Sequence, residues 1–147
     1  MPSPAPLFTR LKAARLWDGT GAPAVRNAAV LIRDGEIAAA GPATKVRAPD
    51  GAQVNVVDYG DATIMPGLVD AHTHMMAPGD GTHGDDVAKA PDDVLLLQAV
   101  KNAGTFLRAG VTTCRENGAK HGVAFSLKEG VRWGLALGPN MVVCGRP

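Results

Sequence analysis

Cysteine is scarce in this chain. The two present, Cys114 and Cys144, stand 30 positions apart with no C-x-x-C pairing. That spacing excludes a disulfide framework and a structural zinc knuckle, and both read as buried, reduced thiols on strands. A charge bias is also missing: 15 Lys and Arg face 14 Asp and Glu, leaving a net charge of +1. No bulk field exists to recruit nucleic acid or an anionic membrane surface. No run approaches the ~18 uninterrupted apolar residues of a membrane span. The opening MPSPAPLFTR carries two early prolines where a secretory leader has an apolar stretch. A cytoplasmic protein that engages neither nucleic acid nor membrane is the expectation. What remains is the composition of a globular domain, 46% hydrophobic and 20% charged, in which function must come from a local site.

Leu7 to about Met65 reads as β-structure, because short β-branched or alternating runs are separated by Asp-Gly and Gly-Pro punctuation. In AAVLIRDGEIAAAG, Asp34-Gly35 between two apolar runs predicts a two-residue hairpin, since a type I′ turn needs positive φ at both central positions. LKAARLWDGTG predicts a strand before it, AQVNVVDYG a strand after it, and Ile64-Met65 one more. From Pro66 the units lengthen. GLVDAH predicts a strand. PDDVLLLQAVKNAGTFLRAG predicts a helix with acidic residues at its front and Leu96, Leu97, Val100, Ala103 and Leu107 on its apolar stripe. VTTC is a second strand, VAFSLKEGVRWGLAL a second helix with Val123, Leu127, Val131 and Leu135 aligned, and NMVVC a third strand. The order β-α-β-α-β implies a parallel sheet, either open and doubly wound or the start of a (β/α)₈ barrel. The boundary therefore falls near Pro66, with a small β-sandwich-like segment over 1–65 and an α/β segment over 66–147.

Only four histidines occur, and two of them sit one residue apart in MPGLVDAHTHM. Side chains alternate faces along a strand, so His72 and His74 project the same way, with Asp70 on that face one step deeper. Two imidazoles converging from one rigid strand suit a shared metal ion. The pair also lies at the C-terminal end of the first parallel strand, where barrels and open α/β sheets alike carry their sites. The competing reading is two polar residues where a strand emerges into solvent.

MPGLVDAHTHM resembles the strand-1 signature of the amidohydrolase superfamily. The preceding LWDGTGAP, VLIRDGEIAAAG and DYGDATIMPGLVDAHTH resemble the N-terminal arm of its imidazolonepropionase-like and prolidase-like members. LRAGVTTCRENG is similar to the family's second barrel strand and GPNMVVCGRP to its third. The resemblance implies a (β/α)₈ barrel with an accessory β-sandwich, a small-molecule substrate, and one or two divalent ions, commonly zinc. His72 and His74 would be metal ligands. The reaction implied is metal-dependent hydrolysis of an amide, peptide-like or carbamate C–N bond. In such enzymes a carboxylated lysine, two further histidines and a proton-accepting aspartate come from later strands, and no position here matches them.

A (β/α)₈ barrel takes about 250 residues, whereas Gly67 to Pro147 holds three predicted strands and two helices, ending at Arg146-Pro147. The expectation is an N-terminal portion of a longer amidohydrolase, or one chain of a split one, inert alone and needing the remaining barrel or a partner chain. The rival expectation is a non-catalytic fragment acting by docking onto a partner or by self-association through an exposed sheet edge. Further residues draw notice. Glu116 or Asn117, at the end of the second strand, reads as a substrate contact or ligand, or else as a rim ion pair or loop hydrogen bond; the family more often has aspartate at Glu116. His83, with Asp85 and Asp86, lies in a glycine-rich loop and His121 just after the second strand. Together with Glu116 these two histidines are the candidates for substitute ligands in a divergent complete domain, solvated loops being the alternative. Asp70 is placed to orient a histidine ring from behind, as metal-bound imidazoles require, or to make a buried hydrogen bond without metal. Trp17 and Trp133 read as packing anchors.

Overall fold

A computed structural model describes residues 7–145. Residues 1–6 of the proline-containing opening and residues 146–147, where the loop after the third strand is expected, lie outside the described residues. The chain divides into two compact units, residues 1–66 and 67–147.

The first unit is a five-stranded sheet built from β1 (Phe8–Leu16), β2 (Val25–Arg33), β3 (Glu36–Pro42), β4 (Val54–Asp58) and β5 (Thr63–Ile64). Its order is β3-β2-β1-β4, with β5 beside β1. The β2-β3 hairpin turns at Asp34 and Gly35 with φ of 52° and 84°, the positive pair that a type I′ turn demands. Alternation along β2 sends Ala29 and Leu31 to one face, against Phe8, Ala43 and Val46, and Ala28 and Val30 to the other, against Leu16. Within this unit the strands form one sheet with a small apolar cluster on each face.

The second unit is α/β. Strands β6 (Leu68–Thr73), β7 (Val111–Glu116) and β8 (Asn140–Val143) are parallel and lie in chain order. Helix α1 (Gly84–Val87) and helix α2 (Asp92–Arg108) fall between β6 and β7, and α3 (Val123–Arg132) falls between β7 and β8. The short α1 replaces part of the expected loop. Both long helices contribute to one core with Cys114 of β7 and Met141 of β8.

The buried stripe of α2 is Leu95, Ala99 and Ala103: of the expected stripe Ala103 is on it and Leu96 packs beside it, whereas Leu97 is 71% exposed. Hydropathy favours the larger side chains, but the face that meets the core is set by what packs there, Cys114, Leu127 and Met141 among them. Similarly, α3 stops at Arg132, short of Leu135. Gly134 takes φ of 72° while its N–H bonds the Val131 carbonyl and the Leu135 N–H bonds that of Gly130. This left-handed cap ends the helix and leaves Leu135 exposed. Trp17 and Trp133 are both exposed rather than packing anchors. Cys114 is a buried free thiol, whereas Cys144 lies just past β8 and is exposed.

Candidate metal centre

His72 and His74 sit at the C-terminal end of β6, beside the corresponding end of β7. Pairing there is irregular: Asp70 faces Cys114 and Thr73 faces Glu116, with a register shift between them. Thr73 is buried, its hydroxyl donating to the Arg115 carbonyl at 3.0 Å. The histidines on either side of it are exposed. Their rings approach to 5.3 Å between centroids, edge to face at 72°.

The Nδ1 atom of His74 lies 3.2 Å from the Gly118 carbonyl. A carbonyl only accepts, so Nδ1 is the donor and the neutral ring keeps its lone pair on Nε2. The His72 ring has no hydrogen-bond partner among the described residues. Asp70 does not orient that ring: its carboxylate accepts the backbone N–H of His72 at 3.1 Å.

Glu116 is fully buried, at 0% exposure. Its Oε2 accepts the Met75 N–H at 2.5 Å and its Oε1 the Gly118 N–H at 3.1 Å. Burial pushes this carboxyl above its ordinary value, with the two N–H donors pulling the other way. The loop hydrogen bond expected for Glu116 is present twice over, and the Nδ1 of His74 lies 3.9 Å from its Oε1. Asn117 donates its N–H to the Thr73 carbonyl and its amide to that of Ala71, while its Oδ1 is buried without a partner.

The other two histidines are engaged elsewhere. His83 caps α1, its Nδ1 accepting the Asp85 N–H at 3.3 Å. His121, at φ of 49°, pairs with Asp92 at the start of α2 at 2.8 Å. Among the described residues no group of three or more His, Cys, Asp or Glu side chains is arranged to hold a metal, so the substitute-ligand expectation has no assembled site. The sequence reading also missed Asn102. From α2 its amide donates to the Met75 and Ala77 carbonyls at 2.8 and 2.7 Å, tying down the loop that follows the histidine pair. The signal was available as a polar residue at helical spacing from Leu95 and Ala99.

A sequence profile described as the amidohydrolase family matches residues 63–147, more than half of the chain. The chain belongs to the amidohydrolase family. This amidohydrolase chain is 32% identical to the imidazolonepropionase of Agrobacterium fabrum, over 65% of its own length and 28% of that protein's. It is 34% identical to a probable imidazolonepropionase of Danio rerio, over 82% of its own length and 28% of that protein's. A crystal structure of an amidohydrolase superposes with a TM-score of 0.75 at 30% identity, over 95% of this chain and 32% of that one. A Xaa-Pro dipeptidase with methionine bound in its active site superposes at 0.78 with 23% identity, over 95% and 33%, a likeness of fold alone. The amidohydrolase chain thus spans between a quarter and a third of the length of these relatives.

Proposed function

We propose that this chain supplies the first strands of a (β/α)₈ barrel, preceded by its accessory β-segment, in a metal-dependent hydrolase of C–N bonds, and that His72 and His74 are two of the metal ligands. The observation that carries the reading is the ring separation. Two imidazoles sharing a tetrahedral ion, with metal–nitrogen bonds of about 2.1 Å and each ring centre about 1.1 Å further out, put their centroids about 5 Å apart. The observed value is 5.3 Å. The chain-order parallel strands fit the first three strands of a barrel. The family membership supports the hydrolytic class.

Bound there, a divalent ion such as zinc would lower the pKa of its water and polarise a carbonyl. The residues of this chain bind and orient. His74 offers Nε2 because Gly118 takes its Nδ1–H, and Asp70 fixes the backbone at His72. A catalytic zinc takes three protein ligands, so the pair is incomplete by itself and the chain alone is expected to be inert.

A second reading rests on the apolar side chains of the three-stranded sheet. Val69 on β6 and Val142 on β8 are 71% and 58% exposed, which suits a fragment acting through self-association or a partner chain.

Calorimetric titration of the purified chain with zinc separates the two. Saturable one-site binding that disappears in the His72→Ala, His74→Ala double variant supports the metal reading. Binding untouched by the double variant overturns the ligand assignment, and a metal-free oligomer supports the second reading.

A further inference from the structure

Glu116 is the one charged side chain buried among the described residues, and it makes no direct hydrogen bond to a side chain there. Its two oxygens reach two different loops. Met75 follows His74 after β6, and Gly118 lies after β7. Gly118 in turn accepts from His74 Nδ1 through its own carbonyl. From Glu116 through Met75, His74 and Gly118 and back, covalent bonds and three hydrogen bonds close a ring. We infer that Glu116 is a positioning residue for His74, its carboxylate locking the two loops so that Nδ1 donates inward and Nε2 stays bare and outward. This rests on the ligand role proposed for His74.

The geometry favours this role over ligation by Glu116 itself, because both of its oxygens already accept N–H groups and the side chain has no exposure. It also goes beyond anchoring of the loop. Asn102 holds Met75 and Ala77 from the helix side through their carbonyls, independently of the carboxylate. Removing the charge at Glu116 leaves that tether in place and changes the ring together with the 3.9 Å approach of Oε1 to the Nδ1 of His74. A glutamine in its place accepts through one oxygen and turns an amide N–H₂ toward the other donor, so the ring cannot close.

The test uses the metal-free chain labelled with ¹⁵N at histidine, at about pH 8, where an ordinary imidazole is neutral. Long-range ¹H–¹⁵N spectra report the tautomer. In the wild type, His74 is expected as the Nδ1–H form, with the Met75 and Gly118 amides exchanging as slowly as those of β7. In Glu116→Gln, His74 is expected to shift toward the Nε2–H form that dominates in water. Those two amides then exchange at least about tenfold faster, and zinc affinity falls about 10–100-fold. Glu116→Asp, which keeps the charge on a shorter arm, is expected to restore part of the Nδ1–H population. A folded Glu116→Gln protein that retains the wild-type tautomer overturns the inference, as does a wild type already in the Nε2–H form. If Glu116→Gln fails to fold, the wild-type tautomer and exchange rates and the aspartate variant decide. If the wild type binds no zinc but its tautomer depends on Glu116, the positioning stands and the metal reading falls. If zinc binds but the tautomer ignores Glu116, the reverse holds.

Discussion

Replacing Gly67 with alanine drives the strand that carries the histidine pair against its neighbour. Gly67 directly precedes β6 and does not have positive φ, so backbone conformation adds nothing to the cost. Space decides it. An added Cβ would stand 2.0 Å from Thr112 Oγ1, 2.3 Å from its Cγ2 and 2.7 Å from its Cβ. Thr112 lies where the β6-β7 register slips, between the residues facing Leu68 and Val69. Rotation of its exposed side chain can relieve only one of the first two contacts, because Oγ1 and Cγ2 fill two of the three staggered positions on Cβ. The third remains, because a Cβ moves only with its backbone. Overpacking of this kind costs about 1–3 kcal/mol, whereas the reduced freedom of the unfolded chain returns about 0.4–1 kcal/mol. The net expectation is destabilisation of about 1–2 kcal/mol, read from urea midpoints by linear extrapolation. Thr112→Gly deletes the opposing Cβ, so in that background Gly67→Ala should become neutral or mildly stabilising, a coupling of about 1 kcal/mol or more. A Gly67→Ala protein within about 0.5 kcal/mol of wild type would refute the packing argument. So would an equal loss in both backgrounds.

Leu127→Ala removes a side chain only 1% exposed in the core shared by α2, α3, β7 and β8, and should cost about 2–5 kcal/mol in urea unfolding. A loss below about 1 kcal/mol would mean that α3 does not pack as described. The hydrogen bond from His121, and then that from Lys120, holds the Asp92 carboxyl below its ordinary 3.8. A depressed native pKa contributes stability above the ordinary value and loses it as pH falls through the native one. The stability gap between wild type and Asp92→Asn should therefore be full at about pH 6 and close toward about pH 2, and a gap independent of pH would contradict the pairing. No hydrolysis of amide, peptide or carbamate substrates is expected from the purified chain with zinc added, and turnover lost on His72→Ala would show that the site is complete without further strands.

Signals carried by single residues or short periods were legible before any coordinates. Asp34-Gly35 dictates its turn because the required φ values are a property of those two residues. The change from two-residue alternation to helical spacing beyond Pro66 separates a β-unit from a β-α-β-α-β unit, and it places His72 and His74 at the end of a strand. These are local backbone preferences, and no distant contact is needed to express them. Burial is different, because it depends on what the register brings opposite. Ala99 and Asn102 lie on the inner face of α2 beside Leu95, and Leu97 lies on the outer one, an assignment that hydropathy alone does not make. Glu116 reads in sequence as a rim residue. It becomes a sealed carboxylate only when the loops after β6 and β7 fold over it and each donates an N–H. The His74 tautomer likewise depends on a carbonyl 44 positions away along the chain. Chain composition and pattern can place two imidazoles on one strand, but the nitrogen each presents is set by partners that meet only after folding.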